Sequence, residues 1–434
     1  MTVHASKSTP HLGLRSIALP FGADAQTVLL PASAEVVGPT DSLGRCTEGH
    51  STADSRQETL RAVEAGLAVL DSDGSLSRSR RIAICVTDGT RPTPVELMLS
   101  VLLRNLVRRC LAQAELTCVM ATGLHRPTGL DRLVAGVAEA GLTGRVNVVA
   151  HDAHADDLVE VGTTHIGTPV LINAAVARAD VILCVGVITA HAEAGYSGGA
   201  KCVVPGVAGA KTITALHDQA LQPLELRGEL RGNPFRAFLE EAAGLLGRVH
   251  VLNAVLHPCG QVARAELGPA VPAHRRASAW FASRYGVALP PSPDVLILGA
   301  GGAPSDSSLY LAEGKAWRTG LDLISPGTVL VLVAACRLGV GGADFLAALT
   351  GADCSEHAAR KARFLRTLIA GVRASYLVHS GIPREVVATL PVTADTVGAQ
   401  EAVDLALKAS PGRRVVALPN PNFVVWTAQP GRTQ

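Results

Sequence analysis

The stretch Arg81–Pro127, RIAICVTDGTRPTPVELMLSVLLRNLVRRCLAQAELTCVMATGLHRP, decides the fold. Its two ends, Arg81–Thr87 and Leu116–Ala121, are short runs rich in Val, Ile and Leu, the pattern of strands buried on both faces. Between them, Val95–Cys110 sets Leu97, Met98, Val101, Leu102 and Leu106 on one helical face, and Thr93–Pro94 supplies a cap and a first-turn proline. A strand, a helix and a strand in this order predict a parallel crossover unit.

The same alternation continues on either side. Strands are expected at Val146–Ala150, Asp180–Val187, Asp294–Leu298, Thr328–Ala335 and Arg414–Leu418, and amphipathic helices at Arg56–Leu70, Leu130–Ala140, Arg236–Leu246, Arg275–Tyr285 and Arg360–Val372. The expected class is α/β, with two domains of mostly parallel sheets flanked by helices. A length of 434 residues suits two large domains. The Pro- and Gly-rich stretch Cys259–Pro272 and the cluster Pro290–Pro293 place the hinge. The first domain is therefore expected over residues 1–272 and the second over 290–400. Residues 401–434, with PGRRVVALPNPNFVVWT as a last strand pair, are expected to return and pack on the first domain.

Composition removes several classes of function. The 39 basic and 37 acidic residues are scattered without long blocks, and aromatics are 3% of the chain, so nucleic acid finds neither a positive field nor stacking platforms. The longest apolar runs, such as Val181–Ala190, fall far short of the roughly 20 residues that span a bilayer. The opening MTVHASKSTPHLGL has no signal-like apolar stretch, and nine cysteines without a C-x-x-C pair suggest reduced thiols. A cytoplasmic location is expected.

In open α/β sheets ligands bind beyond the carboxyl ends of the strands. Three loops there stand out: DGTRPTP at Asp88–Pro94, ATGLHRP at Ala121–Pro127 and HAEAGYSGGAK at His191–Lys201. In the third, Gly195, Gly198 and Gly199 let backbone N–H groups approach an anion, with Lys201 beside it. It nearly makes the phosphate loop G-x-x-x-x-G-K-[ST], but Ala200 and Cys202 replace the second glycine and the magnesium-binding hydroxyl. A flexible turn with a surface lysine is the plainer alternative. His125 and His191 each follow a strand and are either structural or proton carriers. Arg91 is either a carboxylate fork or the close of a Pro-rich turn. His217, in KTITALH at Lys211–His217, would by itself pass for a helix-face histidine.

Together these segments resemble the lactate racemase family that carries a nickel-pincer nucleotide, the LarA-like proteins, whose signatures read approximately DHTRP, ATGxHRP, SHxxAGxSGGxKxxxPG and KTIxxxH. Here they stand as DGTRP (Asp88–Pro92), ATGLHRP (Ala121–Pro127), AHAEAGYSGGAKCVVPG (Ala190–Gly206) and KTITALH (Lys211–His217). A weaker similarity runs on through GGAPSD at Gly301–Asp306 and GVGG at Gly339–Gly342. The resemblance implies a racemase or epimerase of a 2-hydroxy acid, acting by hydride abstraction and return. It implies a pyridinium mononucleotide with two sulfur-bearing arms, one joined to Lys201, and nickel held by the two sulfurs, a ring carbon and His217. His125 and His191 would be the acid/base pair and Arg91 a substrate carboxylate ligand. Asp88, Thr90, Gly195, Ser197, Gly198 and Gly199 would cradle the cofactor. Enzymes that make the cofactor, among them a sulfur transferase and a nickel insertase, would be needed for maturation.

The pattern is broken mostly at the substrate end. Counting puts Gly314 at the family's second substrate-binding lysine, with Lys315 one residue late, so Lys315 fills that role only if the helix adjusts by about 100°. Gly89, Ala200 and Val340 replace a histidine, an arginine and a histidine, and the later tryptophan has no counterpart near Arg363–Val372. A larger 2-hydroxy acid or a sugar acid is expected as readily as lactate. Two alternatives are another hydride-shuttling enzyme on the same cofactor and a nucleotide-phosphate-binding phosphotransferase with an altered phosphate loop.

Overall fold

The computed structural model describes residues 13–39, 51–72, 74, 76–109, 114–219, 228–410, 412 and 414–427. Strand Arg81–Thr87 pairs in parallel with Glu115–Ala121 on one side and Val181–Val187 on the other. The sheet runs Val262–Pro269, Val249–Leu256, Val181–Val187, Arg81–Thr87, Glu115–Ala121, Val146–Ala150, and only the first of these is antiparallel to its neighbour. Helices Thr52–Leu70, Val95–Arg108 and Ala270–Tyr285 contribute to a core on one face, where Leu67, Met98, Leu102 and Phe281 are fully buried. Each such side chain contributes about 1.5–3 kcal/mol by leaving water. The strand order reverses between Arg81–Thr87 and Val181–Val187, so the crevice for a ligand lies beyond the ends of those two strands.

The second sheet is wholly parallel, in the order Ala394–Thr396, Ala374–Val378, Val329–Val333, Val295–Gly299, Val415–Leu418, Glu35–Val36. Its helices include Leu309–Lys315, Ala343–Thr350, Glu356–Ala370 and Ala399–Ala409. The α/β class and the mostly parallel sheets thus agree with the sequence.

The expected boundaries do not. Residues 14–36 were assigned to the first domain, but hairpin Leu14–Phe21/Asp24–Pro31 packs Leu19, Val28 and Leu30 against Ile297 and Val331 of the second sheet. The segment 401–434 was expected on the first domain, yet Val415–Leu418 is an inner strand of the second sheet. Only the end of the described segment reaches back, where Phe423 meets Phe281 and Tyr285. The first domain also extends beyond residue 272, because helix Ala270–Tyr285 packs on strands Val249–Leu256 and Val262–Pro269. The glycine and prolines of Cys259–Pro272 mark a hairpin turn at Pro258–Gly260 and a strand end at Pro269, so the hinge falls at Pro290–Pro293 alone. Cys259 is disulfide-bonded, which corrects the expectation of reduced thiols there. Among the described residues no helix is long and apolar enough to cross a membrane.

Candidate functional site

Three neighbouring strands deliver the three loops to one edge. After Arg81–Thr87, buried Asp88 accepts from the Thr90 hydroxyl at 2.6 Å and the Thr90 N–H at 3.2 Å through Oδ1. Its Oδ2 faces His125 Nδ1 at 3.2 Å. Burial pushes the Asp88 carboxyl up, but the His125 bond, the Arg91 charge and the Thr90 hydroxyl together hold it below the usual range. A carboxylate so placed keeps the proton of neutral His125 on Nδ1 and leaves Nε2 with its lone pair. After Glu115–Ala121, the turn closed by His125 N–H on the Thr122 carbonyl carries the imidazole back toward Asp88.

His191 has the opposite arrangement. Its Nδ1 accepts from the N–H groups of Glu193 and Ala194, each at 3.2 Å, so the neutral ring carries its proton on Nε2. That nitrogen lies 3.3 Å from Lys201 Nζ.

The glycine loop is built by close packing. A Cβ on Gly195 would stand 2.1 Å from the Glu229 carbonyl oxygen, and one on Gly198 2.5 Å from Asn253 Oδ1, both at positive φ. Asn253 Oδ1 accepts the Gly199 N–H at 3.0 Å, and His274 Nε2 bonds the Ser197 carbonyl at 2.9 Å. Gly198→Ala is therefore expected to lower stability by about 2 kcal/mol or more and to shift the denaturation midpoint; an unshifted midpoint would refute this account of the loop. Gly198 and Ser197 line the cavity, whereas Gly195 and Gly199 back onto Glu229 and His274. The loop continues as a 3-10 turn, Gly199–Cys202, rather than the α-helix that a phosphate loop requires.

Lys201 Nζ projects into this space above the Phe235 ring, 5.2 Å from its centroid. Burial and then the Arg91 cation lower its pKa to about 7, so a large fraction is neutral amine at neutral pH. His217 is on helix Ala210–Gln219, one turn beyond Ile213, and both line the cavity. Burial lowers its pKa to about 4, and its Nδ1 is buried without a hydrogen-bond partner.

The cavity measures about 200 Å³ and is closed by the second domain. Tyr310, Leu311 and Gly314 come from helix Leu309–Lys315, Arg318 from the turn after it, and His357 and Lys361 from helix Glu356–Ala370. The His357 ring lies 4.3 Å from the His217 ring, and Arg360 donates to the His217 carbonyl at 3.1 Å. Glu193, His217 and His357 each bring a ligand atom within 4.8 Å of the others. Sequence reasoning missed Glu193, Tyr310, Arg318, His357 and Lys361. The i, i+4 spacing of His357 and Lys361 on one polar helix face was the one available signal. Lys315 ends its helix, and its side chain lies outside the described residues.

Comparison with known proteins agrees with this arrangement. The profile of the lactate racemase N-terminal domain matches residues 42–227. A lactate racemase of Lactiplantibacillus plantarum is 30% identical over 303 residues, 69% of this chain and 70% of that protein. One of Thermoanaerobacterium thermosaccharolyticum is 29% identical over 288 residues, 66% of this chain and 67% of that protein. In structure, the lactate racemase apoprotein of Thermoanaerobacterium thermosaccharolyticum superposes with a TM-score of 0.79 at 22% identity, covering 95% of this chain and 100% of that one. A Thermotoga maritima protein gives 0.62 at 15% identity, covering 87% and 98%. The two structural likenesses speak to the fold.

Proposed function

This chain belongs to the lactate racemase family, and from that membership we propose that it is an isomerase that inverts the α-carbon of a 2-hydroxy acid. The observation that carries the reading is the pair His125 and His191, which open on one cavity in complementary states. His125 presents a lone pair and accepts the substrate hydroxyl proton at Nε2. His191, when charged as imidazolium, returns a proton from Nε2 to the oxygen of the opposite enantiomer and is left neutral. One ring gains a proton as the other gives one up, His125 passing from imidazole to imidazolium and His191 from imidazolium to imidazole, so the reverse reaction uses the same two groups with their roles exchanged. Asp88 orients His125 and supports its imidazolium form. Arg91 holds the carboxylate, a charge-assisted fork that contributes about 1.5–3 kcal/mol to positioning.

The residues present fit the family's nickel-pincer nucleotide. His217 offers a buried nitrogen without a hydrogen-bond partner, Lys201 a partly neutral amine, and Ser197 and Gly198 a stretch of loop that lines the cavity beside them. Lys201 would carry the covalent link, His217 the nickel, and Asp88, Ser197 and Gly198 the walls around it. Thr90, Gly195 and Gly199 would act indirectly, by fixing Asp88 and the loop. When bound, the group supplies the acceptor and donor of the α-hydrogen as hydride, with soft sulfur donors suited to nickel. Maturation would call on cofactor-making enzymes, including a sulfur transferase and a nickel insertase. The protein's part is to bind the acid, move its hydroxyl proton and exclude water.

The test is inversion of an α-deuterated 2-hydroxy acid in ordinary water by the chain produced alongside the cofactor-making enzymes. Deuterium is expected to stay on the α-carbon of the product. Its exchange for solvent hydrogen would defeat the hydride reading. Deuterium stranded on another molecule would instead favour net redox on the same cofactor.

A further inference from the structure

Helix Glu356–Ala370 brings Lys361 into the cavity wall from the second domain. Glu313, fully buried, gives Oε1 to Arg318 through Nε at 2.8 Å and Nη2 at 2.5 Å. Its Oε2 pairs with Lys361 Nζ at 2.7 Å, and the two cations together hold the buried carboxyl below its usual range. One carboxylate thus stands between two cations, and the second of them faces the cavity. Lys361 Nζ also sits over the Tyr310 ring, 4.1 Å from its centroid, while the His125 ring meets the same tyrosine at 6.5 Å. The ammonium and the proton-moving histidine therefore flank one side chain.

Gly314 explains how the ammonium reaches this wall. A Cβ there would fall 2.7 Å from Lys361 Nζ, so any larger residue on the helix face would have to push the lysine aside. Arg91 stands at the strand-end side of the same cavity. Among the basic residues lining the cavity, Arg91 and Lys361 come from different domains and match two anionic groups on one small molecule.

We propose that Lys361 is a specificity-determining residue that binds a second acidic group, so that the substrate is a 2-hydroxy acid with a carboxylate at its far end. This rests on the racemase reading above, with Arg91 on the α-carboxylate and Lys361 on the distal one. Gly314 keeps the ammonium in reach, and Glu313 with Arg318 holds the lysine stem in place.

The experiment compares a four- or five-carbon 2-hydroxy diacid with the matching monoacid, in the loaded enzyme and in the unmodified full chain. For the loaded enzyme, kcat/KM for the diacid is expected to exceed that for the monoacid at least tenfold. Lys361→Met should cut the diacid value at least tenfold more than the monoacid value, chiefly through KM, and Lys361→Arg should restore part of it. Calorimetry on the unmodified chain should show diacid binding that Lys361→Met weakens at least tenfold. A Lys361→Met protein with wild-type melting and nickel content, but with equal losses for both acids or none, would overturn the assignment. A wild-type enzyme that carries nickel and inverts only monoacids overturns it too, and leaves the racemase reading standing. Diacid binding that depends on Lys361 in a chain that never acquires the adduct would instead keep the anion site and remove the racemase reading.

Discussion

Lys201→Ala is expected to abolish cofactor attachment: the chain made with the cofactor-making enzymes should have the mass of the bare polypeptide, nickel at background and inversion lowered about 10⁴-fold or more. Covalent attachment through this lysine would need a neutral amine as nucleophile, and burial with the Arg91 cation lowers the Lys201 pKa to about 7. Alanine has no group to take over that bond. The same substitution carries a stability signature. A lysine with a depressed folded pKa binds fewer protons folded than unfolded between about 7 and the ordinary 10.5, so wild-type stability rises with pH across that window. Lys201→Ala removes this dependence. The unmodified variant should therefore melt above the unmodified wild type near pH 7 and below, with the gap closing toward pH 10.5. Full nickel loading of the variant would refute the attachment site, and a gap independent of pH would refute the lowered pKa.

His125→Asn and His191→Asn are each expected to lower inversion by about 10²–10⁴-fold while leaving adduct mass and nickel content at wild-type levels. Asparagine keeps a polar side chain near Asp88, or near the Glu193 and Ala194 N–H groups, so the loops need not collapse. It cannot carry a proton in the needed range. Both variants should fail from either pure enantiomer, because each passage through the 2-oxo acid uses one histidine to take the hydroxyl proton and the other to return one. Polarimetry or chiral chromatography from each enantiomer measures this. Normal racemisation by either variant ends the two-histidine assignment for that residue.

The first domain was legible because its information is local. Arg81–Thr87, Val146–Ala150 and Val95–Cys110 announce themselves by period, and the polar residues just after the strands mark the reactive edge. The altered phosphate loop was legible as a near miss, and the 3-10 turn at Gly199–Cys202 explains why the miss matters. What the sequence hid is non-local. Hairpin Leu14–Pro31 finds its apolar partners in strands some 280 positions later, in Val295 and Ile297. No window of sequence contains that contact. Similarly, His357, Lys361 and Arg318 read as the polar face of helices until the second domain lays them against His217 and Tyr310. The turn at Pro258–Gly260 was mistaken for a linker because glycine and proline punctuate a hairpin and a hinge alike.

The placement of residues 14–36 in the second sheet makes the first domain an insertion: the chain starts in one body, crosses to the other, and crosses back near Pro290–Pro293. A body joined at two places turns about the line between them, as a door turns on two pins, and sliding or twisting off that line strains one crossing or the other. Phe423, packed against Phe281 and Tyr285, adds an aromatic contact between the two bodies. One leaf carries His125, His191 and Lys201; the other carries Tyr310, His357 and Lys361. The chamber is therefore shared between the leaves, and any turn of one against the other changes the spacing of both sets of side chains at once.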